Sequence, residues 1–143
     1  MKAPAGVEFY EDIDLFVYRP LDVISPAVLD EAVAYLGHLE TTRSTPFNRF
    51  FDTTEMEAME LNVEYVIRLS LYRRRAYAGH PLIKSAILAV DRKAHFLARL
   101  HAAITEGSTI DVRVFHEREE AAVWLGIPLE RLQGNEVKTT KRK

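Results

Sequence analysis

The chain has 143 residues, 48% of them hydrophobic, with 19 Lys and Arg against 21 Asp and Glu and no cysteine. That length and apolar content suit one domain able to bury a core without metal or disulfide staples, and the missing thiols exclude disulfide frameworks, thiolate nucleophiles and the common structural zinc sites. The net charge of −2 hides an asymmetry, since residues 1–65 hold 13 acidic and 4 basic side chains and the remainder holds 8 and 15.

In chain order, "VEFYEDIDLFVYRP" carries two β-rich runs, Val7 to Tyr10 and Ile13 to Tyr18, joined at Glu11 and Asp12, which predicts an antiparallel hairpin closed by Pro20. "SPAVLDEAVAYLGHLE" opens a helix with Ser25 as N-cap and Pro26 at the first helical position, and Leu29, Ala32, Val33 and Leu36 form its buried face. "NRFFDTTEME" supplies a strand ending near Asp52; Asn62 then caps a helix whose Val63, Val66, Ile67, Ser70 and Leu71 share one face, stopped by Gly79 and Pro81. "IKSAILAV" is a nearly unbroken apolar strand, as expected when both faces of a sheet are covered, and is placed at the sheet centre.

Asp91 caps the next helix, with Leu97, Leu100 and Ile104 on one line before Gly107. "TIDVRVF" alternates as a strand and "EREEAAVWLG" is a short final helix, with Trp124 expected between that helix and the sheet. The order ββαβαβαβα predicts an α/β fold: a mixed sheet with an N-terminal hairpin and parallel crossovers, helices packed on it. Residues 1–134 are read as one domain and the basic end, 135–143, as an unfolded tail.

The ending "VRVFHEREEAAVWLG", after "AILAVDRKAHFLARLHAAI", resembles the SpoIIAA-like proteins of the STAS superfamily, relatives of the anti-sigma-factor antagonists. Glu119, Glu120, Ala121, Ala122, Trp124 and Leu125 are similar to the "FRDxEEAxxWL" ending common in that group. The resemblance covers about residues 7–126 and implies a SpoIIAA-like fold acting in bacterial signalling. Antagonists of this superfamily carry a phosphorylatable serine in a "DSS" or "DSxG" turn at a helix start; the matching stretch here, Glu60-Leu61-Asn62-Val63, has no hydroxyl. The regulation by phosphorylation is therefore not carried over.

Candidate chemistry is sparse. Thr53 and Thr54 follow a strand end, where Thr pairs chiefly form turns. Glu55, Glu57 and Glu60 lie on one turn and make a solvated acidic rim rather than an opposed catalytic pair. His95 and His101 are six apart on one helix, off the spacing that shares a metal, and His116 stands alone after a strand. "YRRRAYAGH", residues 72–80, reads as a helix end whose cations complement the helix dipole.

The resulting expectation is a non-enzymatic regulatory or protein-interaction module without cofactor or metal, the alternative being a carrier or sensor of a small apolar ligand or lipid. Thr53, Thr54, Asn62, Asp91 and His116 are the expected binding residues, because ligands of open α/β sheets bind outside the carboxyl ends of the parallel strands. With Glu55, Glu57 and Glu60 nearby, a neutral or cationic partner group is expected there. The partner is an unidentified protein, with a second copy of the chain among the candidates. A pI near 6.2 argues against nucleic acid. The lack of a basic, apolar leader in residues 1–6 and of any run of about 18 apolar residues predicts a cytoplasmic protein without a transmembrane segment.

Overall fold

The computed structural model describes residues 1–134; the expected tail lies outside the described residues. Strands β1 (Val7–Tyr10) and β2 (Leu15–Tyr18) form the predicted antiparallel hairpin. Ile13 sits in its turn rather than in β2, because Glu11–Ile13 winds into a 3₁₀ turn that ends on Asp14 at φ 47°. Helix α1 (Pro26–Thr42) is capped by Ser25, whose Oγ accepts the Val28 N–H at 3.3 Å. Strand β4 (Asn48–Asp52), helix α2 (Val63–Ala76), strand β6 (Ile83–Leu88), helix α3 (Arg92–Thr105), strand β7 (Ile110–Phe115) and helix α4 (Arg118–Leu125) follow as predicted. Two further strands, β3 (Val23–Ile24) and β5 (Ala58–Met59), have two residues each and pair in parallel outside the main sheet; they are too short for a periodic signal.

The main sheet has the order β1-β2-β4-β6-β7, parallel throughout except for β1. From β2 onward each crossover steps toward the same edge, and right-handed crossovers that all step one way lay their helices on one face. Accordingly α1, α2 and α3 cover one face through Phe16, Phe51 and Ile87, and α4 covers the other through Leu15, Phe50 and Leu88. Among the described residues no helix is long and apolar enough to cross a membrane.

Three expectations need correction. The central strand is β4, not β6; β4 carries Arg49 and Asp52, each almost fully buried, and these charges disguise a core strand in the sequence. Helix α2 is rotated from its expected face. Val66 and Ser70 are buried, together with Tyr65 and Arg73, whereas Val63 (44% exposed), Ile67 (37%) and Leu71 (42%) face water. The inward stripe Val66, Ser70, Arg73, Tyr77 keeps helical spacing but is half polar, held by partners from other elements, so an apolar count misreads it.

Trp124, third, is only half-buried, tilted against Phe115 at 5.6 Å, with Lys84 Nζ 5.3 Å and Arg113 Cζ 5.0 Å from its ring. Ala121, Ala122 and Leu125 seat α4 instead. Trp124→Ala is therefore expected to cost about 2 kcal/mol, below the roughly 3 to 5 of a full core truncation, and the tryptophan emission to lie between those of buried and hydrated indole. A loss of more than about 4 kcal/mol in urea unfolding would contradict this packing.

Candidate functional site

The predicted residues divide among three settings at the carboxyl edge of the sheet. The Thr53 N–H donates to the Leu88 carbonyl at 3.0 Å, extending the β4–β6 ladder by one rung, and Thr53 Oγ1 donates to the same oxygen at 2.8 Å. Thr54 Oγ1 donates to Asp52 Oδ1 at 2.6 Å, and the Thr54 N–H reaches the same oxygen at 2.9 Å. Asp52 is 1% exposed and its other oxygen accepts from Arg118 at 2.8 Å, with Arg19 Nε at 3.9 Å. The two threonine hydroxyls thus serve strand-end and turn geometry. Asn62 and Asp91 are N-caps: Asn62 Oδ1 accepts from the Tyr65 N–H at 2.8 Å and Asp91 Oδ2 from the Ala94 N–H at 3.1 Å.

Thr53, Thr54 and Asp91 do share a groove of about 360 Å³ with Glu57, Val90 and Lys93, but Asn62 does not border it. His116 borders a second, open groove of about 490 Å³, lined also by Val90, Arg92, His95, Phe96 and Arg99. Its ring stacks on His95, centroids 4.2 Å apart and planes 16° from parallel. Desolvation, then His116 and Arg99, lower the His95 pKa, so the His95 ring resists protonation. Val90 and Phe96 stand beside this stack at 57% and 58% exposure. The Thr53 groove carries Glu57, Asp91 and Lys93, whereas Arg92 and Arg99 border the His116 side.

A second constellation lies inside the fold and was missed in the sequence. A cavity of about 130 Å³ sits between α1, α2, α3 and the sheet, bordered by apolar side chains such as Leu36, Phe51, Val66 and Leu97. Its polar part consists of Arg49, Arg73, Ser85, His101 and the predicted residue Thr53. Arg49 is 2% and Arg73 5% exposed. Both donate through Nη2 to Glu40 Oε2, at 2.6 Å and 3.0 Å, and both donate to the Tyr77 hydroxyl. Two guanidinium groups therefore share one carboxylate, leaving an excess positive charge in the interior. Burial, opposed by Glu40 and reinforced by Arg73, lowers the Arg49 pKa to about 10.

Arg49 and Ser85 are register partners on adjacent strands, on the helix-covered face. Arg49 Nε and Ser85 Oγ are buried with no hydrogen-bond partner among the described residues. His101 Nδ1 lies 2.7 Å from Ser70 Oγ, which itself donates to the Val66 carbonyl at 2.7 Å. Since the hydroxyl proton is engaged, Nδ1–H is the donor to Ser70; burial and then Arg73 lower the ring's pKa to about 4. The readable signal was that Arg73 repeats with Val66, Ser70 and Tyr77 at helical spacing, and that Arg49 shares strand parity with the core residue Phe51.

With this topology established, one solved structure gives a direct comparison: an uncharacterized protein of the DUF3478 family with a SpoIIAA-like fold, from Shewanella loihica PV-4, matches over 84% of this chain and 90% of its own, with a TM-score of 0.52 and 16% identity. The chain has a SpoIIAA-like fold. No family profile and no curated protein sequence matches it. The SpoIIAA-like sheet, with its hairpin edge and three one-sided crossovers, is what places Thr53, Asp91 and His116 on one rim and leaves Arg49 and Ser85 under the helices.

Proposed function

We propose that the protein is a non-enzymatic interaction module whose carboxyl edge meets a protein partner. One observation carries the reading: the exposed Val90 and Phe96 beside the stacked His95 and His116, at the rim where β6 and β7 end. Such an open, shallow, partly apolar surface suits a macromolecule better than a small substrate, which concave sites enclose. The hydroxyls of Thr53 and Thr54 are engaged in internal hydrogen bonds, which suits turn-forming roles more than nucleophilic ones. Arg92 and Arg99 favour an acidic segment of the partner at the His116 side.

A photo-crosslinking residue placed at Phe96 in the producing cell is expected to capture one defined protein species. The same residue at Leu82, exposed just before β6 on the opposite edge, is expected to capture none. Capture from Leu82 alone would move the contact to the other edge, and a turnover abolished by replacing Thr53, Thr54 or His116 would make the protein an enzyme. The second reading, an interior small-ligand site, is favoured by the cavity under the helices.

A further inference from the structure

The cavity resembles a ligand pocket more than a packing defect, because two buried guanidinium groups and an unpartnered hydroxyl meet at one end of a mainly apolar wall. Arg49 and Ser85 meet across neighbouring strands about 4.8 Å apart, Arg73 joins Arg49 through Glu40 and Tyr77, and apart from Thr53 and His101 the rest of the lining is aliphatic or aromatic. Each of these two atoms can donate: Arg49 Nε–H can only donate, and Ser85 Oγ–H has no acceptor among the described residues. A buried donor left without an acceptor costs about 1 to 3 kcal/mol, more when charged. The group that answers two donors and one excess positive charge is an acceptor with two oxygens and one negative charge.

We propose that this cavity binds a small carboxylic acid as its carboxylate, the oxygens against Arg49, Arg73 and Ser85 and a compact apolar body against Phe51, Ile87 and Leu97. The proposal deepens the second reading above by naming the ligand's chemistry. Charge closes on it, since two guanidinium groups then face Glu40 and the ligand. Volume sets the size of the body. At about 130 Å³ the cavity compares with an apolar cavity of about 150 Å³ that holds benzene, so a single ring or short branched chain fits and a lipid chain does not. Arg49 also borders an outer groove of about 230 Å³ with Glu40, Tyr77 and His80.

The test uses benzoate and 3-methylbutanoate as probes, with benzyl alcohol and benzylamine as neutral and cationic counterparts, followed by calorimetry and amide shifts of the labelled full chain. Benzoate is expected to shift the amides of Phe51, Ile87 and Ala98 and to bind at least about tenfold more tightly than benzyl alcohol. Arg73→Gln is expected to erase that preference. Ala98→Leu, which fills the cavity without touching the charges, is expected to abolish binding of both, and it decides the location should Arg73→Gln fail to fold. Equal affinity for benzoate and benzyl alcohol would leave an interior ligand site standing and overturn the carboxylate assignment. No shift at cavity amides from any of the four probes would overturn the ligand site itself, as would benzoate binding that survives Ala98→Leu.

Discussion

Glu40→Gln is expected to destabilise the protein by about 3 kcal/mol, the lower end of what breaking a buried ion pair costs, because the Glu40 side chain keeps 20% of its surface while Arg49 keeps 2%. The amide retains one acceptor oxygen for the two Nη2 groups but removes the only carboxylate bonded to them among the described residues, so both guanidinium charges lose that counter-charge while buried. The arrangement is not thereby a net source of stability. Ion pairs of this kind roughly offset their own desolvation, and the penalty comes from removing one partner alone. The Arg49 pKa, already lowered to about 10 by burial, would fall further without Glu40. Thermal unfolding is expected to drop by roughly 6 to 12 °C for a chain of this size. Adding Arg73→Met to Glu40→Gln should recover part of the loss by removing one orphaned cation, a coupling that a double-mutant cycle reads directly. If Glu40→Gln changes stability by less than about 1 kcal/mol, the two arginines are neutralised some other way.

The fold was legible wherever a local rule and the global packing agree. Ser25, Asn62 and Asp91 cap the helices they were expected to cap, and the hairpin and crossovers follow from runs of apolar residues bounded by Pro and Gly. The ending around Glu119 to Leu125 pointed to the SpoIIAA-like fold that the comparison supports. What sequence could not show was the inward use of charge. Arg49 and Asp52 lie in the central strand, and their partners Glu40, Tyr77 and Arg118 are 9, 28 and 66 positions away on other elements, so no periodicity within one element shows the interaction. The same cause misplaced α2: its apolar stripe Val63, Ile67, Leu71 is continuous in sequence, yet the helix turns inward the stripe that Glu40 and His101 can bond. Thr53, Asp91 and His116 follow strands β4, β6 and β7, and Thr53, Thr54 and Asp91 share one groove. His95 was set aside as one of two unrelated histidines, since its stacking on His116 depends on α3 and β7 lying side by side.

Acid is expected to weaken the protein through His101. The free imidazole value of 6.5 is lowered to about 4 by burial first and by Arg73 second, and Arg49 borders the same cavity with a second positive charge. Between those two pH values the unfolded chain binds a proton at this residue and the folded chain does not, so protonation pulls the equilibrium toward unfolding. Stability contributed by the neutral ring is complete above pH 6.5 and declines as pH falls toward 4, by roughly 1.4 kcal/mol per pH unit and about 3 kcal/mol in all. His95 is lowered as well, by desolvation, His116 and Arg99, and acts in the same direction. Carboxylates add their own dependence, so the informative quantity is the difference between the protein and His101→Leu. That variant removes the titrating group and leaves Ser70 Oγ donating to the Val66 carbonyl, so it keeps the hydroxyl's main partner. Urea unfolding at pH 7 and pH 4.5 should show the variant losing about 2 kcal/mol less on acidification than the parent chain. Parallel pH profiles for the two proteins would mean that His101 accepts its proton as readily folded as unfolded, and that the excess positive charge beside it is screened from the ring.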